Sequence, residues 1–151
     1  MKIVSEIELG REETALFAAK MQACDWDAGR YLGDLLASGK TEEMFGAGSR
    51  VLFLIENDNL AAFCTLAVQD EIDDASLTPW IGFVYTFPEH RGHRYSEKLV
   101  QFAADAAKNR GYSKIYVSSE EKGLYEKYGF RFWKNAESIH GYTTQIFVRE
   151  L

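Results

Sequence analysis

Cysteine is scarce in this 151-residue chain, and long apolar runs, extended basic stretches and repeats are missing. The two cysteines, Cys24 and Cys64, sit in apolar surroundings without paired spacing. That excludes a disulfide framework or a cysteine-based metal site and predicts reduced, partly buried thiols. No apolar run approaches the length needed to cross a bilayer, so no membrane partner is expected. The first residues, MKIVSEIELGREE, place acids where a signal peptide needs a longer apolar stretch, and the expected location is cytoplasmic. A net charge of −6 without a sustained Lys/Arg run argues against nucleic acid as a main partner. Low-complexity tracts and linkers are also lacking, which leaves residues 1–151 as one domain.

What is present fits that outline, since 46% hydrophobic and 26% charged residues suffice for one real core. Charge is unevenly divided. Residues 1–80 carry 15 acids and 6 bases, a balance of −9, whereas residues 81–151 carry 8 acids and 11 bases, a balance of +3. Such a division suits an anionic ligand and a cationic one meeting between the halves, or it reflects chance on solvated faces.

Residues 2–8 predict a strand, and GREE at 10–13 breaks it before a helix over 12–23 with Leu16, Phe17, Ala19 and Ala23 as its apolar stripe. A second helix is expected over 28–36, capped by Asp25 or Asp27 and ended by SGK at 38–40. FGAGS at 45–49 leads into the buried strand RVLFLIE, NDN at 57–59 makes a hairpin turn, and LAAFCTLAV at 60–68 returns. QDEIDD at 69–74 is expected as a solvated connection. The strand TPWIGFVYTF at 78–87 has Gly82 in its middle, a mark of a bulge or close backbone approach. A helix over 95–110 follows, with Leu99, Phe102, Ala103, Ala106 and Ala107 on one face and Gly111 as its stop. KIYVSS at 114–119 is a strand, 120–128 a short helix closed by Gly129, FRFW a strand, and TTQIFVRE at 143–150 the last. This order predicts an α/β fold with one mixed, mostly antiparallel sheet flanked by helices.

The most informative stretch is PEHRGHRYSEKL, Pro88 to Leu99, where a strand passes through a basic turn directly into a helix. Exposed amides and the positive end of the helix dipole favour an anion there, with Arg91 and Arg94 close by. His90 and His93 form an HxxH pair, but no third or fourth ligand stands at usual spacing, so they read as loop residues and no metal is expected. His140 stands alone and reads as structural. About thirty residues on comes LYEKYGF, Leu124 to Phe130. Together the two segments resemble the acetyl-CoA-binding core of the GCN5-related N-acetyltransferases, the GNAT family, over roughly residues 78–133.

The resemblance implies a pyrophosphate loop of the pattern (Q/R)xxGx(G/A), matched here by RGHRYS: Arg91, Gly92, His93, Arg94, Tyr95 and Ser96. Arg94 replaces the first required glycine and Ser96 stands for glycine or alanine. A residue in helical dihedrals carries any side chain that points away, so two alternatives stand: the amides stay usable and the Arg94 guanidinium adds a phosphate contact, or the side chain obstructs the pocket. The resemblance also implies that acetyl-CoA lies along the preceding strand at Val84, Tyr85 and Thr86, with Phe83 to Tyr85 near the thioester.

Direct attack of an amine on the thioester is the implied reaction. A strand amide near Val84 or Tyr85 would meet the carbonyl oxygen, and Tyr125, four residues before Gly129, would protonate the departing sulfur. Tyr128 is the competing phenol. Glu71, Asp73, Asp74 and Glu89 are candidate acids for deprotonating the amine, with none singled out. Asp25, Trp26, Asp27 and Trp80 are expected around the acceptor, where aromatic walls and carboxylates suit an organic cation. The implied activity is acetyl transfer to a primary amine of a small molecule. Alternatives are acetylation of a protein amine, a non-catalytic acyl-CoA-binding relative acting through a partner, and a small interaction protein. Many relatives pair as homodimers.

Overall fold

The structure, a computed structural model, describes residues 1–151. One seven-stranded sheet organises it: β1 (Lys2–Ser5), β2 (Arg50–Glu56), β3 (Asn59–Ala67), β4 (Trp80–Thr86), β5 (Lys114–Ser119), β6 (Arg131–Glu137) and β7 (Thr143–Glu150). Their order across the sheet is β1-β2-β3-β4-β5-β7-β6, and only β4 and β5 run parallel. Helices α1 (Arg11–Gln22), α2 (Asp27–Ala37) and the short α3 (Thr41–Phe45) precede β2, α4 (Tyr95–Asn109) links β4 to β5, and α5 (Leu124–Lys127) precedes β6. This is the α/β architecture with a mixed, mostly antiparallel sheet that the sequence predicts.

β2 and β3 are continuous apolar runs because both faces of the sheet are covered. Val51, Phe53 and Ile55 face a core with Phe17 of α1 and Leu32 and Leu36 of α2, while Leu52 and Leu54 share the opposite core with Leu99, Val100 and Ala103 of α4. Asn57 and Asp58, at φ 49° and 65°, form the two-residue turn between them. Both are left-handed, as a hairpin whose twist matches its strands requires.

Several expectations change. Glu6–Glu8 is a 3₁₀ turn that cuts β1 short, and neither Asp25 nor Asp27 caps α2, whose N-cap is Trp26 with no side-chain hydrogen bond. In α1 the buried stripe is Phe17, Ala18 and Met21, with Leu16 exposed; in α4 Val100 and Ala104 replace the exposed Phe102. The stripes rotate because tertiary contacts, not periodicity alone, choose which flank of an amphipathic helix meets the sheet. α5 is one turn, held off until Leu124 by Gly123 at φ 82°. The segment at 69–74 is solvated only in part: Gln69, Asp73 and Asp74 are exposed, but Ile72 is buried in a third core with Leu77, Trp80, Tyr116, Ile146 and Val148.

Candidate functional site

β4 and β5 pair only at Trp80–Tyr116 and Ile81–Val117, and beyond these positions they separate. The separation begins at a bulge. Between the pairs Thr65–Gly82 and Phe63–Tyr85, β3 advances two residues and β4 three. The extra residue lets Phe83 turn to φ 53°, a left-handed conformation that costs a non-glycine residue about 1–2 kcal/mol. The irregularity expected at Gly82 is therefore carried by its neighbour. Gly82 serves close approach instead, since a Cβ there would stand 2.3 Å from Asp70 Oδ2 and 3.1 Å from Thr65 Oγ1.

On one side of the split, a recess of about 290 Å³ opens at the start of α4. Val84, Tyr85, Thr86, Arg91, Gly92, Arg94, Tyr95 and Ser96 line it, together with His90; the His93 ring lies outside, 5.4 Å from that of Tyr95. The Arg91 Nε donates to the Thr86 carbonyl at 3.0 Å and ties the turn to the end of β4. The first helical bond of α4 is donated by Lys98 to the Arg94 carbonyl at 3.2 Å, so the amides of Tyr95, Ser96 and Glu97 precede the helical ladder. Arg94 itself is the N-cap at φ 60° and ψ 33°. Its dihedrals are left-handed, not the right-handed helical ones expected for it, and they are those that a glycine adopts without cost. Tyr95 contributes only its backbone, because its ring is in the core and its hydroxyl donates to Glu56.

On the other side, a cleft of about 1000 Å³ fills the gap between β4 and β5. Tyr125 forms part of its wall, with its ring packed on Tyr128, Phe130 and Phe147 and its hydroxyl in no hydrogen bond to protein. Burial pushes the phenol above the ordinary tyrosine range, so it keeps its proton at neutral pH. Trp26 and Asp27 line the opposite wall. Trp26 stacks on Tyr85 at 5.6 Å, and Asp25 sits behind that pair, accepting a hydrogen bond from the Tyr85 hydroxyl. That bond holds the Asp25 carboxyl low, while burial and then Asp25 push Tyr85 up to about 12. Trp80 does not line the cleft: it is fully buried in the third core, its Nε1 donating to the Leu77 carbonyl at 2.7 Å. Being at the end of β4 where the sheet is still closed, it is packing and not a pocket wall.

Sequence reasoning missed part of this wall. Asp70 lines the cleft from the segment expected to be solvated, next to Glu71, which was among the candidate acids, and His140 and Tyr142 line it from the β6–β7 connection. Glu71 accepts hydrogen bonds from Ser118 Oγ, at 2.6 Å, and from the Tyr142 hydroxyl. His140 is exposed and stacked near Tyr142, not a structural core residue. A second groove, about 450 Å³, adjoins Arg94 and carries Lys98, Lys127 and Arg149. These residues are far apart in the chain, and only the packing of α4 on α5 and β7 brings them together. Asp73 and Asp74 are exposed outside the cleft, and Glu89 pairs with Lys20 at 3.3 Å.

A family model described as the acetyltransferase (GNAT) family matches residues 16–130. The crystal structure of an aminoglycoside 6'-acetyltransferase type Ii superposes with a TM-score of 0.74 at 14% identity, covering 99% of this chain and 97% of that one. An aminoglycoside 6'-N-acetyltransferase complexed with coenzyme A gives 0.71 at 14% identity, with 99% and 97% covered. A GNAT family acetyltransferase from Elizabethkingia anophelis with acetyl-CoA bound gives 0.59 at 17% identity, with 78% and 87% covered. No curated protein matches the chain by sequence.

Proposed function

The chain belongs to the acetyltransferase (GNAT) family, and from that premise we propose that it moves an acetyl group from acetyl-CoA to a primary amine of a small cationic molecule by direct attack. The observation that carries this reading is Val84, which lines both the α4 recess and the cleft. An anion site and an acceptor site thus meet at one strand residue. In this reading residues 1–151 act as one domain, since β1, β6 and β7 extend the same sheet beyond the matched segment.

The amides of Tyr95, Ser96 and Glu97 and the side chains of Arg91 and Arg94 hold the pyrophosphate, where the helix dipole and the guanidinium groups act together. Gly92 and His93 shape the turn that presents them. The backbone of Val84, Tyr85 and Thr86, released from β5 by the split, holds the pantetheine arm. When bound, acetyl-CoA supplies an activated acetyl thioester. An amide at the Phe83–Tyr85 bulge donates to the carbonyl oxygen as negative charge develops there. Tyr125 gives its proton to the departing sulfur: burial keeps the phenol protonated at neutral pH, and its hydroxyl has no protein partner to compete.

The acceptor's charge follows from the cleft wall. Asp27, Asp70, Glu71, Glu120 and Glu121 line it against a single lysine, Lys122, and Trp26, Tyr31 and Phe83 add aromatic surface. A cation gains from both. At 14% identity the two aminoglycoside acetyltransferases support the fold, and the acceptor class rests on these side chains.

The test is thermal unfolding with saturating acetyl-CoA against inorganic pyrophosphate, followed by thiol release over a panel of cationic and neutral primary amines. A rise specific to acetyl-CoA and turnover favouring the cationic amines are expected. A ligand at about a hundred times its dissociation constant adds about 2.7 kcal/mol. No rise with acetyl-CoA refutes the proposal, and binding without thiol release over the whole panel refutes the catalytic part.

A further inference from the structure

Asp70 is the one carboxylate in the cleft wall with a buried oxygen that has no hydrogen-bond partner. Its Oδ1 accepts the Glu71 amide at 2.7 Å, and its Oδ2 is buried with no hydrogen-bond partner. Thr65 Oγ1 is also buried and unpartnered, and both oxygens surround the point where a side chain on Gly82 would begin. Buried polar atoms are nearly always paired, so two orphans at one place call for an explanation. Gly82 immediately precedes Phe83, the bulge residue, and the proposed reaction puts the thioester carbonyl beside that bulge. Among the other acids, Glu71 is held by Ser118 and Tyr142, Asp27 pairs with Arg30 and Glu89 with Lys20, Asp73 and Asp74 lie outside the cleft, and Glu120 and Glu121 line it but are exposed to solvent.

We propose that Asp70 is the proton acceptor for the attacking amine. The inference rests on the acetyltransferase reading and assigns the one step that reading leaves open. As the amine nitrogen bonds to the acetyl carbon, it acquires positive charge and its proton passes to the Asp70 carboxylate. The carbon–sulfur bond breaks, and the sulfur takes the Tyr125 proton. Solvent then carries a proton from Asp70 back to Tyr125, and the products are the amide and free CoA thiol. Thr65 Oγ1, next to the same point, offers the protonated carboxyl an acceptor.

Burial is the main cause lifting the Asp70 carboxyl to about 7, with the negative Glu71 adding to it and the Glu71 amide opposing. A base with its pKa near the working pH combines a usable ionised fraction with a real proton affinity. The surfaces that face it hold no paired cation. Thr65 of β3 and Gly82 of β4 are neutral, and across the cleft stand Asp27 of α2, Glu120, Glu121 and Lys122 after β5, and His140 and Tyr142 before β7.

The pH dependence of kcat and of KM for a cationic amine tests this in the intact chain, in Asp70→Asn and in Gly82→Ala, with acetyl-CoA-induced stabilisation measured on each. The wild type should show a kcat limb rising through about pH 7. Asp70→Asn should lose about a hundredfold in kcat together with that limb, keeping its stabilisation by acetyl-CoA. Gly82→Ala, whose Cβ displaces the carboxyl, should move the limb while the protein still binds acetyl-CoA; this variant decides the matter if Asp70→Asn does not fold. Retention of both rate and limb in Asp70→Asn, or an unmoved limb in Gly82→Ala, overturns the assignment. Absence of acetyl-CoA stabilisation in the wild type instead overturns the reading on which it rests.

Discussion

Replacing Arg94 by glycine probes the start of α4 through two separate energies. At φ 60° and ψ 33° the arginine carries the left-handed penalty of about 1–2 kcal/mol that glycine escapes. Glycine in turn loses about 0.5–1 kcal/mol more conformational entropy on folding. At the midpoints of these ranges Arg94→Gly is more stable by about 0.75 kcal/mol, which in a domain of this size raises Tm by roughly 2–3 °C. Because the guanidinium is exposed, its contribution to a bound phosphate is that of a solvent-screened contact, at most about 1 kcal/mol. Acetyl-CoA should therefore bind the variant up to about fivefold more weakly. Thermal unfolding without ligand reads the first energy, and isothermal titration with acetyl-CoA reads the second. A ligand-free Tm at or below that of the wild type would refute the strain argument. Tighter binding would show that Arg94 obstructs the recess instead of serving it.

Tyr125→Phe removes a hydroxyl with no protein partner, so stability should change by less than about 1 kcal/mol while turnover falls by about a hundredfold and acetyl-CoA affinity stays the same; unchanged turnover in a steady-state assay would remove Tyr125 from the reaction. Asp70→Asn should affect stability with a definite sign. The folded carboxyl holds its proton to about pH 7 from an ordinary 3.8, so its favourable contribution is complete below about pH 4 and is lost as pH rises through about 7. The asparagine variant should gain on the wild type across that window, by up to about 4 kcal/mol at pH 8 at about 1.4 kcal/mol per unit. Melting curves at pH 5 and pH 8 check this, and a difference that does not widen with pH contradicts it. Gly33→Ala places a Cβ 2.9 Å from the Gln22 backbone nitrogen where α2 crosses α1, and despite alanine's better helix propensity a urea titration should show a loss of about 1–3 kcal/mol.

The strands were legible where burial on both faces makes the sequence a continuous apolar run, as in RVLFLIE and LAAFCTLAV, and where two turn-forming residues separate them. α3 was not, because TEEMF makes little more than one turn and shows no period. The basic turn before α4 could be located from its strand–turn–helix context, but the left-handed state of Arg94 could not, since nothing in an arginine announces it. Gly82 drew attention for the right reason and the wrong location: its missing side chain makes room for Asp70, while Phe83 takes the unusual dihedrals. Asp70 was hidden for a related reason. QDEIDD is polar enough to suggest solvent, and only the packing of Ile72 beneath it draws its first acid inward. Trp80 and Trp26 look equivalent as letters, yet one lies where β4 and β5 are still paired and the other opposite their gap.

The short pairing of β4 with β5 divides the protein mechanically. Four strands lie on one side of that seam and three on the other, and only two residue pairs of ladder join them directly, with α4 packed across. Under the proposed function, the arm of acetyl-CoA enters as a temporary eighth strand and stitches the open length of the seam. Loading the donor is then also a stiffening step: the two half-sheets are clamped just as the acceptor cleft acquires its floor. The amides of Val84 and Thr86, on the edge of β4 that β5 has left, should exchange with solvent quickly in the free protein and slowly once the donor is bound, whereas those of β2 and β3 should scarcely respond. An enzyme built this way uses one substrate as a structural member for receiving the other.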